Sequence, residues 1–153
     1  MTKSFKTHAT KAYKFRLAQL VSICKGLQEM ETEICEAMHA DLGRDMFLNY
    51  VAEVASLDAS CKHDARHLKE YMKKQPEEIE LLLCPGSAYT MFEPLGVVAV
   101  FGSWNAPFIT TMKPLIQAIT AGNCVIVKPS EHSPRSSAVM KKFTDTYLDP
   151  EFV

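Results

Sequence analysis

The sequence predicts an α/β protein: a helical hairpin, then the first β-α-β portion of a doubly wound parallel sheet. Three observations predict it. Apolar residues recur at helical spacing through the first third of the chain. Two continuous apolar runs, Val97 to Phe101 and Cys124 to Val127, have the texture of strands buried on both faces. A stretch of helical spacing joins those two runs, as a crossover between parallel strands requires. The 153 residues suit one ordinary domain, and 47% hydrophobic with 23% charged residues is a globular composition.

From the N-terminus, Leu17, Leu20, Val21, Cys24, Leu27, Ile34, Cys35 and Met38 follow an i, i+3, i+4 rhythm, and Gly43 supplies a stop. Phe47, Val51, Val54, Cys61, Ala65, Leu68 and Met72 repeat the pattern in a second helix. That helix ends at Lys73, Lys74 and Pro76. Leu81–Cys84 and Tyr89–Phe92 then read as short strands around the turn-forming Pro85, Gly86 and Ser87. Beyond the Val97 strand, Phe108 to Ala121 has helical spacing, with Pro114 a warning of a kink and Gly122-Asn123 a stop. Ser133 and Pro134 offer an N-cap and first-turn proline for a last helix through about Tyr147. The expected organisation is 1–76 helical, 77–96 a strand excursion of bridging type, and 97–153 part of a nucleotide-binding domain.

Composition excludes several functions. Seventeen basic against eighteen acidic residues give a net charge of −1, so no global field draws the chain to nucleic acid. No apolar run approaches the ~20 residues of a membrane span, which reads as a soluble chain. Five scattered cysteines with no C-x-x-C pair favour a reducing, cytoplasmic compartment over a disulfide framework. Cys24, Cys35, Cys61 and Cys124 fall on core positions, and none sits beside a His or Lys at a loop. His63 and His67 share a helix face, but solvated histidines are the plainer reading and no metal is expected.

Sites in such sheets lie outside the carboxyl ends of the strands. Those ends are Gly102-Ser103-Trp104-Asn105 and Lys128-Pro129-Ser130-Glu131. The Asn105 amide is a neutral donor suited to a developing oxyanion, or else it caps the helix starting near Pro107. Lys128 and Glu131 suit the hydroxyls of a ribose, or else form a surface ion pair. Glycine-loop motifs for pyrophosphate are absent.

The strings Glu93-Pro94-Leu95-Gly96-Val97-Val98, Ser103-Trp104-Asn105-Ala106-Pro107-Phe108, Ala121-Gly122-Asn123 and Lys128-Pro129-Ser130-Glu131 resemble the aldehyde dehydrogenase superfamily. Arg16-Leu17-Ala18-Gln19-Leu20 and Ala40-Asp41-Leu42-Gly43-Arg44 resemble its class 3, or fatty aldehyde dehydrogenase, branch. The resemblance runs from about Lys14 to Pro150 and implies an incomplete form of that fold. It also implies an NAD or NADP cofactor, aldehyde substrates of medium or long chain or aromatic type, and a homodimer in complete form. By resemblance Asn105 is the oxyanion donor, Lys128 and Glu131 hold the adenosine ribose, and Gly102, Ser103 and Trp104 line the cofactor cleft. Ala106 departs from the family, which usually has an aromatic residue there that shapes the substrate tunnel. The chain ends at Val153, before the segments that in the family carry the cysteine nucleophile and general-base glutamate. The expectation is therefore a chain inactive alone, with a truncated partner of a full-length subunit as the alternative.

Overall fold

The computed structural model describes residues 1–153. In chain order, α1 is Thr2–Lys6, α2 Tyr13–Glu29, α3 Glu31–Leu42 and α4 Met46–Asn49. A wide π turn, Tyr50–Ala55, leads into α5, Ser56–Tyr71. Then come β1 Gln75–Glu77, β2 Ala88–Thr90, β3 Val97–Phe101, α6 Pro107–Ala121, β4 Cys124–Lys128 and α7 Pro134–Tyr147.

The two arms of the expected hairpin are α2 and α5, which pack along each other. The single first helix is corrected: Met30, at φ −104° and ψ 11°, interrupts it. The apolar rhythm runs through the break because both halves bury their stripe in one core. The second helix is likewise interrupted by the π turn, which turns Glu53 inward to 1% exposure.

The ribbon is also corrected. Its first strand is Gln75–Glu77, paired antiparallel with Ala88–Thr90 in the register Pro76 to Tyr89. Leu81–Leu83, expected as strand, is a 3₁₀ turn whose leucines are exposed. Three consecutive leucines form an apolar run that reads as a strand, but an isolated two-stranded ribbon offers no sheet to bury them.

β3 and β4 pair in parallel, Val97 with Cys124 through Phe101 with Lys128, and α6 connects them as expected. Val98, Val100, Val125 and Val127 pack on α6, and α6 in turn packs on α2 and α5. Burial on both faces is not observed. The opposite face leaves Ala99, Phe101 and Ile126 exposed. The core is a single cluster of 21 buried residues drawn mainly from α2, α3, α5 and α6. Its fully enclosed Leu, Ile, Met and Phe side chains each contribute about 1.5–3 kcal/mol of burial. No helix is long and apolar enough to cross a membrane.

Candidate active-site loops at the sheet edge

The two loops at the carboxyl end of the parallel pair are brought side by side by one backbone contact. The Gly102 amide donates to the Lys128 carbonyl at 3.0 Å, extending the ladder one residue beyond β3. A Cβ at Gly102 would lie 1.9 Å from Thr111 Oγ1, so only glycine lets this strand end approach α6.

Ser103, Trp104 and Asn105 are exposed beyond it, Trp104 to 54%. Their shape is set by Thr110, which the sequence reasoning missed. Its hydroxyl accepts from the Ser103 amide at 3.1 Å and donates to the Ala106 carbonyl at 2.8 Å. The Ser103 hydroxyl donates to Asn105 Oδ1 at 2.8 Å. The same hydroxyl lies 3.1 Å from Thr110 Oγ1, so Ser103 ties the Asn105 amide to the first turn of α6. The Asn105 Nδ2 group is left with both protons uncommitted inside the chain, as an oxyanion donor needs.

Asn105 does not cap α6, so that alternative falls. The N-cap position is Ala106, without a side-chain bond, and the cap comes from far along the chain. Glu53 Oε2 accepts from the Phe108 amide at 2.8 Å and the Ile109 amide at 3.0 Å. Its other oxygen pairs with the Arg44 guanidinium, so the buried carboxylate is both neutralised and hydrogen-bonded. The only sequence signal was an acid lying in an otherwise apolar segment. The opposite end of α6 is held by Arg16, buried to 7% exposure, whose guanidinium reaches the Thr120 carbonyl at 3.1 Å.

In the second loop Lys128 Nζ pairs with Glu131, and both side chains are exposed. The Lys128 ammonium beside it is the largest influence holding the Glu131 carboxyl below the usual range. An exposed pair of this kind adds little stability. It does place an acceptor and a donor together beside the first loop, the donor set that a vicinal diol takes. Ser133, expected to cap α7, makes no cap bond with its side chain. Asp41 caps it instead, accepting from the Arg135 amide at 3.2 Å and the Ser136 amide at 2.7 Å. No cluster of three or more metal-ligating side chains occurs, and His63 and His67 simply stack, with ring centroids 4.1 Å apart.

This arrangement has close counterparts. The chain is 39% identical to aldehyde dehydrogenase family 3 member H1 of Arabidopsis thaliana over 153 residues, 100% of this chain and 32% of that protein. The substrate-bound structure of Staphylococcus aureus AldH superposes with a TM-score of 0.94 at 34% identity, covering 97% of this chain and 32% of the other. Succinic semialdehyde dehydrogenase from Streptococcus pyogenes, solved with NADP+, shares the fold with a TM-score of 0.82 at 21% identity, over 97% of this chain and 32% of that one. The chain thus spans about a third of the length of these relatives. A model of the aldehyde dehydrogenase family matches residues 1–152, nearly every position from α1 to the end of the last helix and beyond. The chain belongs to the aldehyde dehydrogenase family.

Proposed function

We propose that these residues supply the ribose-holding and carbonyl-polarising parts of an NAD(P)-dependent aldehyde dehydrogenase. Its substrates would be medium- or long-chain, or aromatic, aldehydes, oxidised to carboxylic acids. The observation that carries the reading is the Gly102–Lys128 contact, which sets an uncommitted Asn105 amide beside a Lys128–Glu131 pair at one sheet edge.

Lys128 and Glu131 fit the adenosine ribose: the carboxylate accepts from the two hydroxyls and the ammonium donates to them. A nicotinamide cofactor held by these two residues would supply the hydride acceptor. The chain's own contribution to the oxidation is positional and electrostatic. Asn105 Nδ2 donates to the carbonyl oxygen as negative charge develops on it, an effect of about 2.7–4 kcal/mol for one such donor. Trp104, beside it, forms part of the cleft wall with Ser103 and Gly102. Ala106 stands where the family usually carries an aromatic residue, so the width of the aldehyde path or the placement of Asn105 would differ here.

None of the five cysteines lies in either loop, and burial pushes the Cys35 and Cys124 thiols up, away from nucleophilic use. The 153 residues by themselves therefore form no NADH from aldehydes. We further propose a cytoplasmic location and a homodimer acting on lipid-derived aldehydes.

Trp104 is the one tryptophan and reports on the site directly. NAD or NADP is expected to change its fluorescence saturably, and Lys128→Ala to abolish the change. An unaltered titration of Lys128→Ala would remove the ribose assignment.

A further inference from the structure

The Asn105 amide has two unlike ends. With Nδ2 outward it donates to a developing oxyanion; turned over, it presents Oδ1 and repels the same charge. Hydroxyl protons in the loop decide between the two. Thr110 Oγ1 donates its one proton to the Ala106 carbonyl at 2.8 Å. Its oxygen therefore meets Ser103 only as an acceptor, taking the Ser103 amide at 3.1 Å. Thr110 is itself fixed, because the amides of the two residues before it bond Glu53 at 2.8 and 3.0 Å.

Ser103 Oγ carries one proton with two acceptors in reach, Asn105 Oδ1 at 2.8 Å and Thr110 Oγ1 at 3.1 Å. The Asn105 contact is shorter, and the Thr110 oxygen already holds the Ser103 amide, so the proton goes to Asn105. The competing arrangement turns the amide over. Nδ2 then donates to Ser103 Oγ, the Ser103 proton moves to Thr110, and two donors from one residue crowd a single oxygen. That arrangement also uses an Nδ2 proton within the loop and leaves Oδ1 outward.

We propose that Ser103 and Thr110 are positioning residues for Asn105, joined in a directed hydrogen-bond chain that keeps the donor end of the amide outward. Thr110 holds the Ser103 backbone, Ser103 holds Oδ1, and both Nδ2 protons face away from the loop. Neither hydroxyl touches reacting atoms; each acts through the Asn105 side chain. The use of that orientation rests on the dehydrogenase reading, in which Asn105 polarises the aldehyde carbonyl. The orientation itself is a property of the loop and is measured with no nucleotide or aldehyde present.

Magnetic resonance of the isotope-labelled chain tests it, with Asn105→Asp identifying the Asn105 side-chain signals. In the parent chain the Asn105 Cγ resonance is expected downfield, as for a carbonyl that accepts a hydrogen bond, with both Nδ2 protons exchanging freely. Ser103→Ala and Thr110→Val should each move Cγ upfield, and Thr110→Val should quicken exchange of the Ser103 amide about 10-fold. Thr110→Ser keeps the hydroxyl and should return the parent signals, whereas a role in packing alone would be served as well by the isosteric valine. A parent chain with one protected Nδ2 proton overturns the proposal. So do Asn105 signals that neither Ser103→Ala nor Thr110→Val shifts, or a Thr110→Ser that matches Thr110→Val. Failure of NAD to bind the same chain would remove the dehydrogenase reading and leave this result standing.

Discussion

Asn105 and Gly102 show how little of a site's chemistry resides in the reactive residue alone. Asn105 is useful because Ser103 occupies its oxygen, and Ser103 is placed because Thr110 accepts its amide. Gly102 is needed because any larger residue meets Thr111, whose buried hydroxyl donates to the Pro107 carbonyl at 2.7 Å. Gly102→Ala is therefore expected to cost about 1–3 kcal/mol in denaturant unfolding, the range of overpacking. Adding Thr111→Ala should recover part of the loss, since it removes the nearer clashing atom. A fully stable Gly102→Ala would show that the strand end does not pack as described. Asn105, Lys128 and Glu131 were singled out by the family resemblance of their motifs, because residue type and position alone fitted a helix cap and a surface ion pair as well. Thr110 and Thr111 carried no such signal, being indistinguishable from any other helix threonine until their partners were known.

At the scale of elements, α6 is the part that converts the helical region into a positioning device for the site. Glu53 holds its N-terminus and Arg16 its C-terminus, both from segments that precede the sheet. A Cβ at Gly122, which has φ +90°, would also strike the Arg16 guanidinium, so the C-terminal clamp needs that glycine twice over. Breaking the N-terminal clamp is the sharper test. Glu53→Gln removes the charge that balances Arg44 and leaves a neutral, weaker oxygen to accept from the two amides, with an expected loss of about 2–4 kcal/mol. Amide exchange at Phe108 and Ile109 should quicken in the same variant, because their acceptor is weakened; unchanged exchange there would deny the cap. β3, α6, β4 and α7 were legible because apolar runs, first-turn prolines and terminal glycines are local signals. The caps were not, because Asp41 and Glu53 act on helices that lie 94 and 55 positions away. The first ribbon strand was missed for a related reason: Gln75–Glu77 is polar, contains a proline and is exposed throughout, so no alternation marks it.

The molecule as a whole is one core with an unequal sheet. One face of the parallel pair is closed by α6, while the other presents Phe101 at 74% and Ile126 at 50% exposure. Sequence texture suggested burial on both faces, since it registers what a strand is built for and not what covers it in this chain. A dye that fluoresces on apolar surfaces is expected to bind the native chain, and Phe101→Lys with Ile126→Lys to lower the signal. An equal signal from parent and double variant would place the apolar surface elsewhere. The central claim is the proposal that the two loops at the carboxyl ends of β3 and β4 form one nucleotide-binding surface. Amide chemical shifts followed during NAD addition test it most directly. The account predicts saturable shifts concentrated at Gly102–Asn105 and Lys128–Glu131 together, reporting both loops at the same concentration of nucleotide. Shifts confined to other segments, or no shifts at all, would contradict it.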